Sequence, residues 1–379
     1  MIKKLTLSIL TILSTLFIAS PVQAESSLSF TFPVRVPATK QLEYLGLPQR
    51  INQLATPSAT PVTWLLNYDT LTSATASAYF TDLNLSPEQE LGVLLEITPV
   101  FLENVGLPRA INPSTAHLIN SYHPEVRYQI IDQYFSLFKQ LFGHYPRVVA
   151  APYLDALSLS YLADHYGVKA ALLNLPSSGN LTLDHYFPYP YFPSKHNTLV
   201  PSPDRDQAIN IMVSFWQGLP SNSDFVSLLS NPRHQSSLIS FGLEESLTVD
   251  QQVEVLPDLF TSLSSLESLT TVGDFADHFI TYNPLTTPTY LSSGNQFTIY
   301  ASPHYFLTLD RQKSQLTSLV FYNHHETEAF LFDRNPSSFL NLNTYPLVTP
   351  DQPISLSTPL LDYTLTQDSS FSYTLSFTD

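Results

Sequence analysis

Apolar and polar positions along this chain follow two rhythms, and the change comes near residue 282. Before it, short runs that are apolar throughout alternate with stretches of helical period. After it, short runs alternate residue by residue. The clearest unit of the first kind is 143–174, GHYPRVVAAPYLDALSLSYLADHYGVKAALLN. Arg147–Ala151 reads as a buried strand, rich in β-branched residues. Pro152, which has no N–H for a ladder, ends it. Leu157–Tyr166 carries apolar residues near the helical period, and Gly167 stands where a helix C-cap belongs. Val168–Leu173 is a second apolar run. Strand, helix and strand in about thirty residues make a parallel βαβ unit.

Similar signals recur on either side. Ser27–Val36 alternates well enough for a first or edge strand, and Gln49–Thr60 is polar and irregular. Val62–Tyr68 is a buried strand ending at Asp69, and Leu71–Phe80 is helix-like. Pro87 sits just inside a turn or helix start. Glu90–Ile97 is a buried strand stopped by Thr98-Pro99. His123–Phe142 is the strongest helix, with Val126, Ile130, Ile131, Tyr134, Phe138, Leu141 and Phe142 on one face. Ala208–Trp216 and Leu238–Phe241 are further strands, and Asp250–Leu266 is a helix. Strands apolar through their length, alternating with helices, predict an α/β barrel.

Asn283–Thr289 is a Pro/Thr linker. Beyond it Gln296–Ala301, His304–Asp310, Leu316–Tyr322, Ala329–Phe332, Thr358–Leu365 and Phe371–Phe377 recur about every ten residues, which predicts a β-sandwich. The expected organisation is a segment at 1–24, a barrel at 25–282 and a sandwich at 288–379.

Gly143-x-x-Pro146, then Pro152-Tyr153, then a helix closing in Tyr166-Gly167-Val168 resembles the third motif region of the polysaccharide deacetylase superfamily, related to glycoside hydrolase barrels. The family motif reads G-x-x-P, then R-x-P-Y-G; here Ala150 replaces the arginine and Leu154 the glycine. The resemblance implies a distorted (β/α)7 barrel. It sets Tyr68-Asp69 against the family's two aspartates, so that only Asp69 remains. It sets residues 94–99 against a pair of metal-binding histidines, and none is present. The Gly242–Glu245 turn stands where a late histidine would be. A catalytic zinc needs three protein ligands and an open position. Metal-dependent deacetylation is therefore not expected, nor any metal or other cofactor.

The amino terminus narrows the setting. Lys3 and Lys4 precede the apolar Leu5–Ile18, and Val22 and Ala24 suit cleavage, so residues 1–24 read as a signal peptide with a mature start at Glu25. The product is expected to be secreted, extracellular or periplasmic, and free of the membrane once cleaved. The chain has no cysteine, so a disulfide framework is impossible. Removing 1–24, which holds two basic and no acidic residues, takes the formal charge from −16 to −18. That balance disfavours phosphate backbones, and nucleic acid is not an expected partner. With only 13% charged residues, the surface is largely hydroxyl and amide. This suits neutral, hydroxyl-rich material.

In α/β barrels the site lies at the carboxyl ends of the strands. Four such ends carry carboxylates: Asp69, Glu96, Asp155 and Glu244. Each alone could cap a loop or sit in solvent; together they are the candidate catalytic set. Tyr68 and Tyr153 stand beside them as hydrogen-bond donors. Tyr191, in the proline-stiffened aromatic loop 186–197, and Trp216 offer rings to sugars, as do Trp64, Tyr186, Tyr189 and Phe192. A lid over the barrel mouth is the plainer reading of that loop. The histidines, including His185, His196, His324 and His325, show no ligand spacing. The expected function is glycosidase-like hydrolysis of a polysaccharide or oligosaccharide by paired carboxylates. The alternative is a barrel that binds cell-wall or extracellular glycan without turnover.

Overall fold

The structure, a computed structural model, describes residues 27–36, 41–83, 86, 88–108, 110, 116–152, 154–173, 190–196, 198, 201–202, 208–216, 238–243, 256–258, 260–261, 269–282, 290–293, 297–301, 305–322, 344–348, 354–355, 362–369 and 372–378. The stretch 1–24 expected as a signal peptide, the expected linker at 283–289, the strand expected at 329–332, Tyr153, Tyr186, Tyr189 and Glu244 lie outside them.

Seven strands form the amino-terminal body: β1 (Ser27–Val34), β2 (Val62–Leu66), β3 (Gln89–Leu94), β4 (Val148–Ala151), β5 (Ala170–Leu173), β6 (Ile209–Trp216) and β7 (Leu238–Leu243). Each pairs in parallel with the next, and β1 also pairs with β7, from Ser27 opposite Leu238 to Thr31 opposite Gly242, so the ring closes. The run at 27–34 is thus the first strand of the ring, not an edge. Helices lie between strands: α1 (Gln41–Ala55), α2 (Tyr68–Thr72), α3 (Ala74–Leu83), α4 (Pro99–Val105), α5 (Pro124–Phe142) and α6 (Ala156–Tyr166). Gly167 caps α6 with φ 69, as expected of a residue that must turn left-handed. α1 was not expected, because its buried Leu45, Leu47, Ile51 and Ala55 are diluted by Pro48 and polar neighbours.

Alternate strand residues serve two cores. Phe32, Trp64, Leu66, Val93 and Val149 join one cluster with Phe80, Phe101, Ile131, Tyr134 and Phe138 of the helices. Leu65, Leu94, Val148, Ala150, Ala170 and Leu172 join a second with Val272, Phe275, Ala276 and Phe279 of α7 (Val272–Tyr282). The period of two puts that second set on the ring's inner face, so α7 packs there. α7 was also unforeseen, although its apolar residues recur at helical spacing.

The carboxyl-terminal strands are antiparallel. β8 (Tyr290–Ser293), β9 (Phe297–Ala301), β10 (Tyr305–Asp310), β11 (Gln315–Tyr322) and β12 (Thr344–Val348) form a sheet, and β13 (Ile354–Ser355) pairs with β11. β14 (Asp362–Ser369) and β15 (Ser372–Thr378) form a separate hairpin. The sandwich expectation is thus replaced by a coarser description, an antiparallel sheet and a hairpin. Among the described helices none is long and apolar enough to cross a membrane.

Candidate functional site at the carboxyl mouth of the barrel

The ends of β1, β2 and β3 meet through side chains that fix one another. Asn67 follows β2 and accepts the Thr70 N–H at 3.0 Å, capping α2. The Thr70 hydroxyl lies 3.0 Å from the Val34 carbonyl and accepts the Val36 N–H at 2.9 Å. It therefore holds the backbone on both sides of Arg35. At the end of β3 the Leu95 N–H still reaches the Ala150 carbonyl, while the Glu96 N–H turns back to Leu94. Glu96 is thereby lifted out of the ladder.

Arg35 meets Glu96 in a fork: Nε donates to Oε2 at 2.6 Å and Nη2 donates to Oε1. Thr98 caps α4 by accepting the Phe101 N–H at 3.1 Å, and its hydroxyl donates to Asp69 Oδ1. Burial pushes the Asp69 carboxyl above its ordinary range; the Thr98 hydrogen bond opposes this and the Glu96 charge adds to it. Asp69 and Glu96 are therefore electrostatic neighbours in unlike settings. One is half-buried and favours its proton, and the other lies against a guanidinium.

Beneath them Tyr134, from α5, donates its hydroxyl to the Glu96 carbonyl and accepts the Tyr68 N–H at 3.2 Å. Its ring stacks on Phe101 at 5.2 Å and meets the Tyr68 ring edge-on at 5.6 Å.

Two further carboxylates behave otherwise or lie elsewhere. Asp155 follows β4 but is 4% exposed. Its Oδ1 accepts the Ser158 N–H at 3.0 Å and lies 3.1 Å from Arg127 Nη1, while Oδ2 accepts the Ser158 hydroxyl at 2.7 Å. Arg127 also donates to the Tyr122 and Asn120 carbonyls. Asp155 is thus helix cap and counter-ion together, with no open oxygen among the described contacts. Glu244 lies outside the described residues.

The aromatic candidates move inward. Tyr68 packs on Phe101 at 4.7 Å and is buried. Tyr191 is 1% exposed and its hydroxyl donates to the Thr198 carbonyl at 2.8 Å. Phe192 packs against Phe279 of α7, and Trp64 is buried with its Nε1 donating to Gln89. None of these rings offers a face to a ligand here. Apolar side chains with one polar tip satisfy both packing and hydrogen bonding, which the sequence pattern alone did not separate from sugar platforms. Only the backbone of Trp216 is described, at the end of β6, and Tyr153 lies outside the described residues.

Sequence reasoning missed Arg35, Thr98 and Tyr134. The signal for Arg35 was its place at the end of the run 27–36. Counting that run as a ring strand makes Asp69 follow the second strand and Glu96 the third, with Arg35 closing the first. Thr98-Pro99 was a readable helix start. Among the described residues no group of three or more His, Cys, Asp and Glu stands where it could hold a metal ion. Asp69 and Glu96, with Arg35 on Glu96, do not fit a three-ligand catalytic zinc.

Known proteins share this arrangement of strands and helices. No protein-family model and no curated protein matches the sequence. Among solved structures, a protein assigned to the glycoside hydrolase/deacetylase group from Parabacteroides distasonis is similar over 89% of this chain and 91% of its own, with TM-score 0.57 at 11% identity. The chain shares the β/α-barrel fold of that protein. A protein assigned as a polysaccharide deacetylase from Mycobacterium smegmatis is more distantly similar, with TM-score 0.47 at 14% identity, covering 73% of this chain and 97% of its own. An allantoinase gives TM-score 0.47 at 13% identity over 70% of this chain and 93% of its own.

Proposed function

We propose that the protein is an exported, carbohydrate-active barrel that hydrolyses a glycan through Asp69 and Glu96. The observation that carries this is the juxtaposition of two carboxylates in unlike environments at the barrel mouth. Such a split is what acid–base chemistry on a glycosidic bond requires. Asp69, protonated, gives its proton to the leaving glycosidic oxygen. Glu96, ionised, attacks the sugar carbon or takes a proton from the water that does. The bond from anomeric carbon to oxygen breaks and water supplies the new hydroxyl; where Glu96 has attacked, Asp69 takes its proton back from that water as the bond to Glu96 breaks, and where Glu96 acts as base, the proton it has taken returns to Asp69 through solvent. Arg35 orients Glu96 and must release one oxygen as the substrate enters.

Export rests on the residues of 1–24, and a glycan partner on the uncharged polar surface. The fold similarity to a glycoside hydrolase/deacetylase adds to the second. A protein of this charge makes no use of nucleic acid and, once cleaved, none of the membrane. Division into a barrel and a two-layer β domain near 283–289 belongs to the same reading, with limited proteolysis in that stretch as its check.

A second reading has an observation of its own. Both oxygens of Glu96 are engaged by Arg35, as in a barrel that binds glycan without cleaving it. A hydrolysis screen on mixed polysaccharides, run beside a binding pull-down, separates the two. Reducing ends released by wild type and absent with Asp69→Asn and Glu96→Gln support hydrolysis. Retention of a glycan with no release by wild type supports binding alone.

A further inference from the structure

We infer that Tyr134 is a positioning residue that sets the separation of the two carboxylates from outside the sheet, by joining the backbone before Asp69 to the backbone of Glu96 through one hydroxyl. This rests on the reading of Asp69 and Glu96 as the working pair.

The geometry is specific. A tyrosine hydroxyl has one proton and can accept as well. Tyr134 gives its proton to the Glu96 carbonyl and accepts the N–H of Tyr68, the residue before Asp69. Both partners lie where the β2 and β3 ladders have ended. The register between these strands runs from Val62 opposite Gln89 to Leu66 opposite Val93 and goes no further. Past that point, among the described residues, no backbone bond joins the two segments, and the hydroxyl does. The Thr98–Asp69 contact is a second tie, made between side chains that a substrate could rearrange.

The hydroxyl cannot easily wander. Tyr134 is fully buried, stacked on Phe101, and carried by α5, whose Ile130, Ile131, Phe135 and Phe138 are buried beside it. The charges of Asp69 and Glu96 both act on it, with burial the larger influence, and all raise its ionisation well above the ordinary range. It stays a neutral donor at any working pH and never acts as the acid itself. Small misplacements of reacting groups are costly in rate, so a rigid tie at this point matters more than its strength as a single bond.

Tyr134→Phe keeps the stack on Phe101 and Tyr68 and removes the hydroxyl alone. Carboxyl-carbon NMR titration of Asp69 reads the result without a substrate. In wild type, Asp69 is expected to titrate above the ordinary aspartate range. In Tyr134→Phe, with the two carboxylates no longer held at a fixed separation, the Asp69 midpoint moves away from its wild-type position. On a hydrolysed glycan, kcat is expected to fall about tenfold or more while KM stays within about twofold. Tyr166→Phe removes a hydroxyl of the neighbouring helix α6, bonded to Asp132, and should change neither readout.

The inference is overturned if Tyr134→Phe melts lower but leaves the Asp69 titration as in wild type, for then the hydroxyl is only structural. It is overturned as well if wild-type Asp69 titrates in the ordinary aspartate range, a result that needs no folded variant. If the titration responds as expected and no glycan is ever cleaved, the tie stands and hydrolysis falls.

Discussion

Strand β3 carries a glutamate near its start and another just past its end, on the same inward-facing parity. Glu90 is buried, and each of its oxygens is occupied. Arg147 Nη2 donates to Oε1 at 2.9 Å; the Gly273 N–H and the Thr63 hydroxyl donate to Oε2 at 2.8 and 3.1 Å. Arg147 also reaches Asp274 and Asp277 of α7. This end of the barrel is a fastening: Glu90 takes up the Gly273 N–H and Thr63 the Val272 N–H at the start of α7, and together they dock the helix. Burial drives the Glu90 carboxyl above its ordinary range, with Arg147 and the two hydrogen bonds pulling against it. At the other end Glu96 also meets an arginine, yet it remains partly open, with the half-buried Asp69 beside it. Both ends pair a carboxylate with a guanidinium. The difference is exposure: Glu90 is buried with each oxygen bonded, whereas the Arg35–Glu96 pair stays partly open to solvent, and by that criterion Asp155 belongs with Glu90 although it lies at the mouth.

The sharpest challenge to this comparison is Asp155→Ala. It strands the buried Arg127 charge and uncaps α6, and should cost about 3–5 kcal/mol of stability by denaturant unfolding. If the variant stays as stable as wild type and loses only turnover, Asp155 is an acting group and the division by exposure is wrong. Next comes Glu96→Gln, which keeps the shape and removes the charge. Turnover should fall by about a thousandfold, close to 4 kcal/mol of barrier, while the melting temperature moves little. Full activity in Glu96→Gln on a verified substrate would place the chemistry elsewhere.

At the closed end, a Cβ at Gly273 would lie 1.9 Å from Glu90 Oε1 and 2.9 Å from the Arg147 guanidinium. Gly273→Ala therefore pushes apart a bonded group that has no space to retreat. A loss of roughly 2 kcal/mol is expected, with activity per folded molecule unchanged. A drop in kcat without a drop in stability would mean that the two ends communicate.

The smallest effect is a pH dependence. Asp69 binds its proton more tightly folded than unfolded, so its contribution is fully present below the ordinary aspartate range. It is lost as pH rises through the raised value. Asp69→Asn removes that loss. Compared with wild type it should gain a little stability between about pH 3 and pH 7 and gain nothing at the acid end. Urea midpoints at the two pH values measure this, and parallel curves would show that Asp69 is not held apart from its ordinary range. Glu90 has the same sign, so Asp69→Asn retains some of the slope.

The barrel was legible because its strands are buried on both faces, and runs such as VTWLL and VVAA can hardly be anything else. Asp69 and Glu96 were legible because a residue just past such a run must stand at the barrel mouth. The helices at Gln41–Ala55 and Val272–Tyr282 were not read: Pro48 interrupts the first pattern, and the second packs on the inner face of the ring, which no local period reveals. The sandwich was read from alternation, which predicts strands and not how sheets are layered.

What the sequence determined by itself is local: where strands stop, where Gly167 turns the chain, and which side chains stand past each strand end. Those depend on neighbours within a few residues. Only the tertiary structure decided which charges meet. It set Arg35 on Glu96, Arg127 on Asp155 and Arg147 on Glu90, pairs separated by 61, 28 and 57 positions in the chain. It also turned Tyr191 and Trp64 into core. An ion pair depends on distance in space and on exclusion of water, and neither is encoded by spacing along the chain.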